Sequence, residues 1–466
     1  MQRVKGTDAH HLYEERPAQP MHTLKIGILD PSGRAEGYTV DTIKRTLRER
    51  VPHLAPLRWR VVPTPGRVSH PVWIDVGLPD FDQHVRQATV PAPGGRVELA
   101  EVVSAIASTP LDRTRPLWEL WLLDGLDDGT VAVVFKLHHA LADGLSSAQL
   151  IIDLMDGEVP DAQAQPEQVP SSARLLAVGV RDVVGLAARF PGLAARSWRA
   201  SAAAGARRKS GATMPAKAFT APMLAWNTGV TPHRWYAFTD VALADLKAIK
   251  DASGCTLNDV VLAVSAGAVR SYLADGHGVP AETLTAAVPI SIRRQDETRT
   301  WGNRLSNVFP SLATDIEDPV ARLHAIHDSM AAAKEYHDAR DPELWQDWWD
   351  FYPILHAFQR SATRMMHRTA KRPTYSMIVS NVRGPSQPLS SNGAPLRAIY
   401  SMGPLVDDLG LNITAWSYLE RMSFGVVTCK ELIPDVWDLA ERIPVAVDEL
   451  LAAVSSTVAP PTSEPA

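Results

Sequence analysis

Val131-Ala132-Val133-Val134-Phe135-Lys136-Leu137-His138-His139-Ala140-Leu141-Ala142-Asp143-Gly144 is the segment from which the architecture is read. Its first five residues are apolar and mostly β-branched, the signature of a buried strand. Leu145 to Met155, just beyond it, reads as a helix. Two histidines and an Asp-Gly step therefore sit where a strand hands over to a helix. A junction of this kind holds a side chain rigidly at the edge of a cleft. A neutral imidazole there can take a proton from a hydroxyl near pH 7, as no other unperturbed side chain does as readily.

Working outward, Leu117 to Leu123 reads as a strand joined through the Asp127-Asp128-Gly129 turn to the strand carrying the histidines. Leu24 to Leu29 alternates like a strand and ends at the turn Asp30-Pro31-Ser32-Gly33. Val40–Val51 and Val97–Ser108 have helical periodicity. Pro160 to Pro170 collapses to Pro, Gln, Ala and Glu, a linker composition. An Ala- and Arg-rich helical stretch follows to about residue 208, then a second loose stretch. Beyond it, Leu243–Ala252, Leu257–Ala274, Pro319–Tyr336, Pro342–Lys371 and Asp435–Val454 look helical. Thr285–Ile292 and Tyr375–Asn381 look like strands, and Leu411–Ser417 with Met422–Thr428 like a hairpin. This divides the chain into residues 1–158, 159–232, 233–456 and a Pro/Ser-rich tail, 457–466, expected to be disordered.

The 466 residues exceed one hydrophobic core and suit two domains of about 200 residues each. A net charge of −5 argues against a nucleic-acid partner, yet residues 171–209 carry eight basic groups against one acid, Asp182. Two cysteines, Cys255 and Cys429, make no disulfide framework and fit a reducing compartment. The charged N-terminus lacks the apolar core of a secretory signal, and no apolar stretch reaches the roughly 18 residues of a spanning helix. The expectation is a cytoplasmic protein whose membrane contact is peripheral.

HHxxxDG, as His138-His139-Ala140-Leu141-Ala142-Asp143-Gly144, resembles the signature of CoA-dependent acyltransferases, which include chloramphenicol acetyltransferase and peptide-synthetase condensation domains. Further segments narrow the likeness: Thr7-Asp8-Ala9, Pro20-Met21-His22, Pro116-Leu117-Trp118-Glu119, Asn258-Asp259-Val260-Val261, Val288-Pro289-Ile290-Ser291, Gly302-Asn303-Arg304 and Ser380-Asn381-Val382-Arg383-Gly384-Pro385. In this order they resemble the bacterial wax ester synthase/diacylglycerol acyltransferase family, of the actinobacterial triacylglycerol synthase type. The resemblance implies an α+β fold of two chloramphenicol-acetyltransferase-like domains, joined by a long crossover linker and facing a tunnel. It also implies acyl-CoA as donor substrate, with no permanently bound cofactor, and diacylglycerol or a long-chain alcohol as acceptor. A membrane or lipid-droplet surface would be a peripheral partner. Two other readings stand beside it: a non-catalytic acyl-CoA- or lipid-binding protein on storage-lipid surfaces, and a condensation-type transferase using a carrier-protein thioester.

On this reading His139 is the general base. Neighbouring strand residues face opposite ways, so His138 is a packing or orienting group. Asp143 either caps the following helix or pairs with an arginine, and Gly144 admits a close backbone approach. Asn258 either steadies an oxyanion or caps its helix. Ser380, Asn381, Arg383 and Gly384 are donor-side candidates for coenzyme A. The superfamily's DFGWG box is missing, and the roles of Arg293 and Asn303 stay open. A metal site is disfavoured because adjacent histidines diverge, unlike those of HExxH. Ser265 lies within a helical pattern and lacks the strand-turn-helix setting of a hydrolase elbow. Cys255 reads as a buried apolar residue, and His10-His11, with no Asp-Gly after it, as structural. Two stretches are suited to lipid: the basic segment 171–209, otherwise an interdomain crossover, and the aromatic run Trp345, Trp348, Trp349, Phe351, Tyr352 and Phe358, otherwise helix packing.

Overall fold

A computed structural model describes the chain apart from residues 159–164, 211–213, 218, 277, 294–300, 342, 352, 354–371 and 459–466. The expected helix beyond residue 353, Tyr352, Phe358 and the Pro/Ser-rich tail from residue 459 lie outside the described residues.

In chain order the first half holds β1 (Gln2–Arg3), α1 (Gly6–Glu14), β2 (His22–Leu29), α2 (Val40–Arg50), β3 (Trp59–Val62), β4 (Val72–Asp75), α3 (Phe81–His84), β5 (Val85–Thr89), α4 (Arg96–Ser108), β6 (Trp118–Asp124), β7 (Val131–His138) and α5 (Gly144–Leu154). The long α6 (Ser172–Lys209) follows. The second half holds β8 (Arg234–Ala242), α7 (Leu243–Ser253), α8 (Leu257–Gly276), β9 (Ala286–Ser291), β10 (Leu305–Val308), α9 (Pro319–Asp338), α10 (Leu344–Asp350), β11 (Met377–Val382), β12 (Ser390–Ser391), β13 (Ala394–Met402), β14 (Leu411–Tyr418), β15 (Arg421–Cys429) and α11 (Val436–Val458). The architecture is mixed helix and sheet in two domains.

Two six-stranded sheets organise it. One runs β12-β13-β2-β7-β6-β5, the other β10-β9-β11-β14-β15-β8. The boundary read at residue 233 is therefore crossed. β13 belongs to the second half in sequence but pairs antiparallel with β2, Tyr400 opposite Ile26 and Met402 opposite Leu24. Its alternation (Leu396, Ala398, Tyr400, Met402) is a strand pattern, but local pattern cannot say which sheet receives it.

Both faces of the first sheet are covered. Leu24, Ile26, Ala132 and Val134 pack with α4 and with Tyr236, Phe238 and Val427 of the second half, so one apolar seam serves both domains. The opposite face packs under α2 and α5. Lys25 shows the consequence. Its place in an alternating strand suggests a solvent face, yet it is 5% exposed. Its ammonium donates to Thr23 Oγ1 (3.0 Å) and Ser401 Oγ (2.7 Å) and lies 4.9 Å from the Trp416 ring. Burial pushes its pKa down to about 7.

Candidate active site

β7 ends at His138, and the chain turns through His139–Leu141 before α5 begins at Gly144. His138 is fully buried. Its Nδ1 accepts the Ala140 N–H at 3.1 Å and its Nε2 lies 3.4 Å from Glu15 Oε1. Burial lowers the His138 pKa, and Glu15 offsets part of that. Glu15 itself is pushed up by burial, but hydrogen bonding by His138 and the charges of His138 and Arg113 outweigh this and hold it at about 2. His138 thus shapes the turn from inside.

His139 keeps partial exposure. Its backbone is pinned twice: its N–H donates to Met21 O at 2.8 Å, and its carbonyl accepts from Asn303 Nδ2 at 2.7 Å. Its ring lies 4.4 Å from the His11 ring, tilted by 43°. Burial, and then the charge of Lys25, push the His139 pKa down to about 4, with Asp143 opposing. The imidazole is neutral at physiological pH, the form a general base needs.

Asp143 performs both jobs that its sequence left open. Oδ1 accepts the Ser146 N–H at 2.9 Å as a helix cap, while Oδ2 accepts from Arg293 Nη2 at 2.8 Å and Arg304 N at 3.0 Å. Arg293 also donates to Ser146 Oγ (2.7 Å) and to Gly302 O (2.8 Å). Gly302 donates in turn to Leu141 O at 3.2 Å. At Gly302, with φ +88°, a Cβ would lie 2.7 Å from Asp8 Oδ2, so the residue is confined to glycine on two counts. Asp8 accepts the Asn303 N–H (2.7 Å) and Nδ2 (2.8 Å). Burial raises its pKa to about 7, partly countered by Asn303. Thr7-Asp8-Ala9, Gly302-Asn303-Arg304 and the histidine loop are thus one network, although nearly 300 residues separate the first two.

Gly144 abuts the second half. A Cβ there would lie 2.9 Å from Val382 Cγ2, at the end of β11. We expect Gly144→Val to lower stability by about 1–3 kcal/mol in denaturant titrations. Val382→Ala in the same chain should restore much of that loss, because the clash is with that one side chain.

That contact carries the histidine loop to the Ser380–Gly384 segment. Ser380 and Asn381 lie in β11 just before its last residue, Val382, and Arg383 is exposed beyond it. Gly384 approaches so closely that a Cβ would lie 2.5 Å from Trp416 Nε1. Asn381 Nδ2 lies 3.5 Å from Asn258 Oδ1. Asn258 does not cap α8. That role falls to Thr256, whose Oγ1 accepts the Asp259 N–H (3.2 Å), while Asp259 Oδ2 accepts the Thr256 N–H (2.9 Å). Asn258 Nδ2 is buried with no partner among the described residues, a donor left over for something else.

Sequence reasoning set His10-His11 aside as structural; the structure places His11 against His139 and His10 against Trp349, at 3.9 Å between ring centroids. Lys25, which the sequence did not single out, lies close enough for its charge to act on His139. The only signal for either is a polar residue whose periodic position falls on a face that tertiary packing buries. Ser265 lies inside α8 and donates to Val261 O at 2.8 Å. Burial pushes the Cys255 thiol pKa up, away from a nucleophilic thiolate. Among the described residues no group of three or more His, Cys, Asp or Glu is arranged to hold a metal ion. No single described helix is long and apolar enough to cross a membrane.

Residues 4–261 match the model of the wax ester synthase/diacylglycerol acyltransferase catalytic domain, and residues 301–451 that of the family's C-terminal domain. The chain belongs to this family. Two Mycobacterium tuberculosis relatives, each provisionally named a diacylglycerol O-acyltransferase, are 36% identical over 458 and 441 residues. They cover 97% and 93% of this chain and 90% and 92% of their own. The solved wax ester synthase/diacylglycerol acyltransferase from Marinobacter aquaeolei is 26% identical, with TM-score 0.70 over 98% of this chain and 100% of that one. The starter condensation domain of rhizomide synthetase, crystallised with C8-CoA, shares the fold at 13% identity, with TM-score 0.59 over 100% of this chain and 97% of that one.

Proposed function

We propose that this family member esterifies diacylglycerol or a long-chain alcohol with the acyl group of acyl-CoA, with His139 as general base. The hydroxyl oxygen attacks the thioester carbon while its proton passes to the imidazole. The free amide donor of Asn258 steadies the oxyanion; the C–S bond then breaks, and the departing thiolate recovers the proton. No covalent enzyme intermediate is required, since the thioester is already activated. Donor and acceptor reach His139 from opposite sides of the contact between the halves, the donor along Ser380–Gly384.

One observation carries this reading: His139 keeps partial exposure, and its backbone is pinned at both ends beside the second half. The test is release of free coenzyme A from palmitoyl-CoA, with ester detected by mass, in the presence of diacylglycerol or hexadecanol. Release dependent on the alcohol supports the reading; binding of both substrates without ester sinks it and favours a non-catalytic lipid-binding protein.

The pH profile follows from the sign of the shift. The neutral ring is the active form and its pKa is lowered from 6.5 to about 4. Therefore kcat/KM should stay level as pH falls through 6.5 and decline only as it nears about 4. Lys25→Met removes a neighbouring positive charge that lowers this pKa, so its acid limb should move to higher pH. Profiles measured on both proteins with a soluble alcohol decide this.

A further inference from the structure

α6 has two apolar sides, and the body of the protein covers only one. Gly179, Leu186, Leu193 and Ala200 recur every seven residues and are buried, some against Leu344 and Phe351. Leu176, Val180, Val184 and Trp198 recur at spacings of four and fourteen, which the 3.6-residue turn gathers on the opposite side. They are exposed, Val184 by 65% and Trp198 by 73%. Between them this side presents chiefly exposed alanines and Pro191.

The charges sort in the same way. Arg196 and Arg207, nearer the buried side, are spent on Asp341, Asp347 and Glu335. Arg174, Arg181 and Arg199 run along one flank of the exposed stripe and have no acidic partner among the described residues. The one acid of the helix, Asp182, accepts from Ser69 Oγ at 2.8 Å. An exposed apolar stripe edged by uncompensated arginines on a surface helix matches the boundary between acyl chains and anionic headgroups.

We propose that the outer side of α6 docks the protein onto an anionic phospholipid surface. Trp198, Val184, Val180 and Leu176 enter the acyl boundary, and Arg174, Arg181 and Arg199 meet headgroup phosphates. This docking does not depend on the chemistry assigned to His139.

The test is sedimentation of the full chain with vesicles of phosphatidylcholine alone, or mixed with phosphatidylglycerol. The parent should bind the mixed vesicles preferentially. Val184→Asp with Trp198→Asp should weaken that binding by about tenfold or more, and Arg181→Glu with Arg199→Glu should abolish the preference for anionic lipid. Unchanged thermal unfolding midpoints establish that the variants fold. Equal binding by parent and variants, or no binding by the parent, overturns the proposal. So does a parent dimer in light scattering that Val184→Asp with Trp198→Asp converts to monomer, since a second copy then covers the stripe.

Discussion

Replacing His139 by alanine is expected to lower kcat for ester formation by about 10²–10⁴-fold, the usual contribution of a positioned base. KM for either substrate should change far less, because the imidazole acts on a proton in flight and does not anchor the substrates. The backbone pins explain why the fold should survive: Met21 and Asn303 hold the N–H and C=O of residue 139, not its ring. His138→Ala differs. It removes a fully buried ring that accepts the Ala140 N–H and faces Glu15, so its cost appears in stability as well as rate. Single-turnover measurement of coenzyme A release separates the two, and undiminished turnover in His139→Ala removes the base assignment.

The second large effect belongs to Asp143. Alanine there removes a helix cap of about 1 kcal/mol and takes from Arg293, itself largely buried, the carboxylate it meets at 2.8 Å. Breaking a buried pair from one side typically costs about 3–5 kcal/mol, so Asp143→Ala should unfold at markedly lower urea. Asp143→Asn tests the division of labour: asparagine still caps but brings no charge, and should recover only the smaller part. Arg293→Ala in the Asp143→Ala background should add less than it costs alone, since both partners of one interaction are then gone.

Much of this was legible in the chain, for definable reasons. The hairpin of β6 and β7, the helix after Gly144 and the hairpin of β14 and β15 follow from alternation and turn residues, which are local properties. The motif segments pointed to residues that the network does join: Asp8, Asp143, Gly302, Asn303 and Arg304. Three things were not legible. β13 carries an ordinary strand pattern that says nothing of its cross-half partner. Lys25 sits where alternation promises water and tertiary packing supplies Trp416 and Ser401. His11 lies far from His139 along the chain, and only the docking of α1 makes them neighbours. In each case the missing information is which surface covers a given face, and that is settled by long-range packing.

The strand exchange bears on how a bulky lipid gains entry. From Leu396 to Met402 the second half is zipped to β2, beside the strand that ends in His138. Jaw-like separation of the two lobes would unzip that ladder and bare an unpaired edge to the solvent. The lobes are in effect sewn together beside the histidine loop. With His139 as the proposed base, long acyl tails are expected to enter by rearrangement of side chains and peripheral loops around a stationary frame, which would spare the His139 environment from being rebuilt at every turnover.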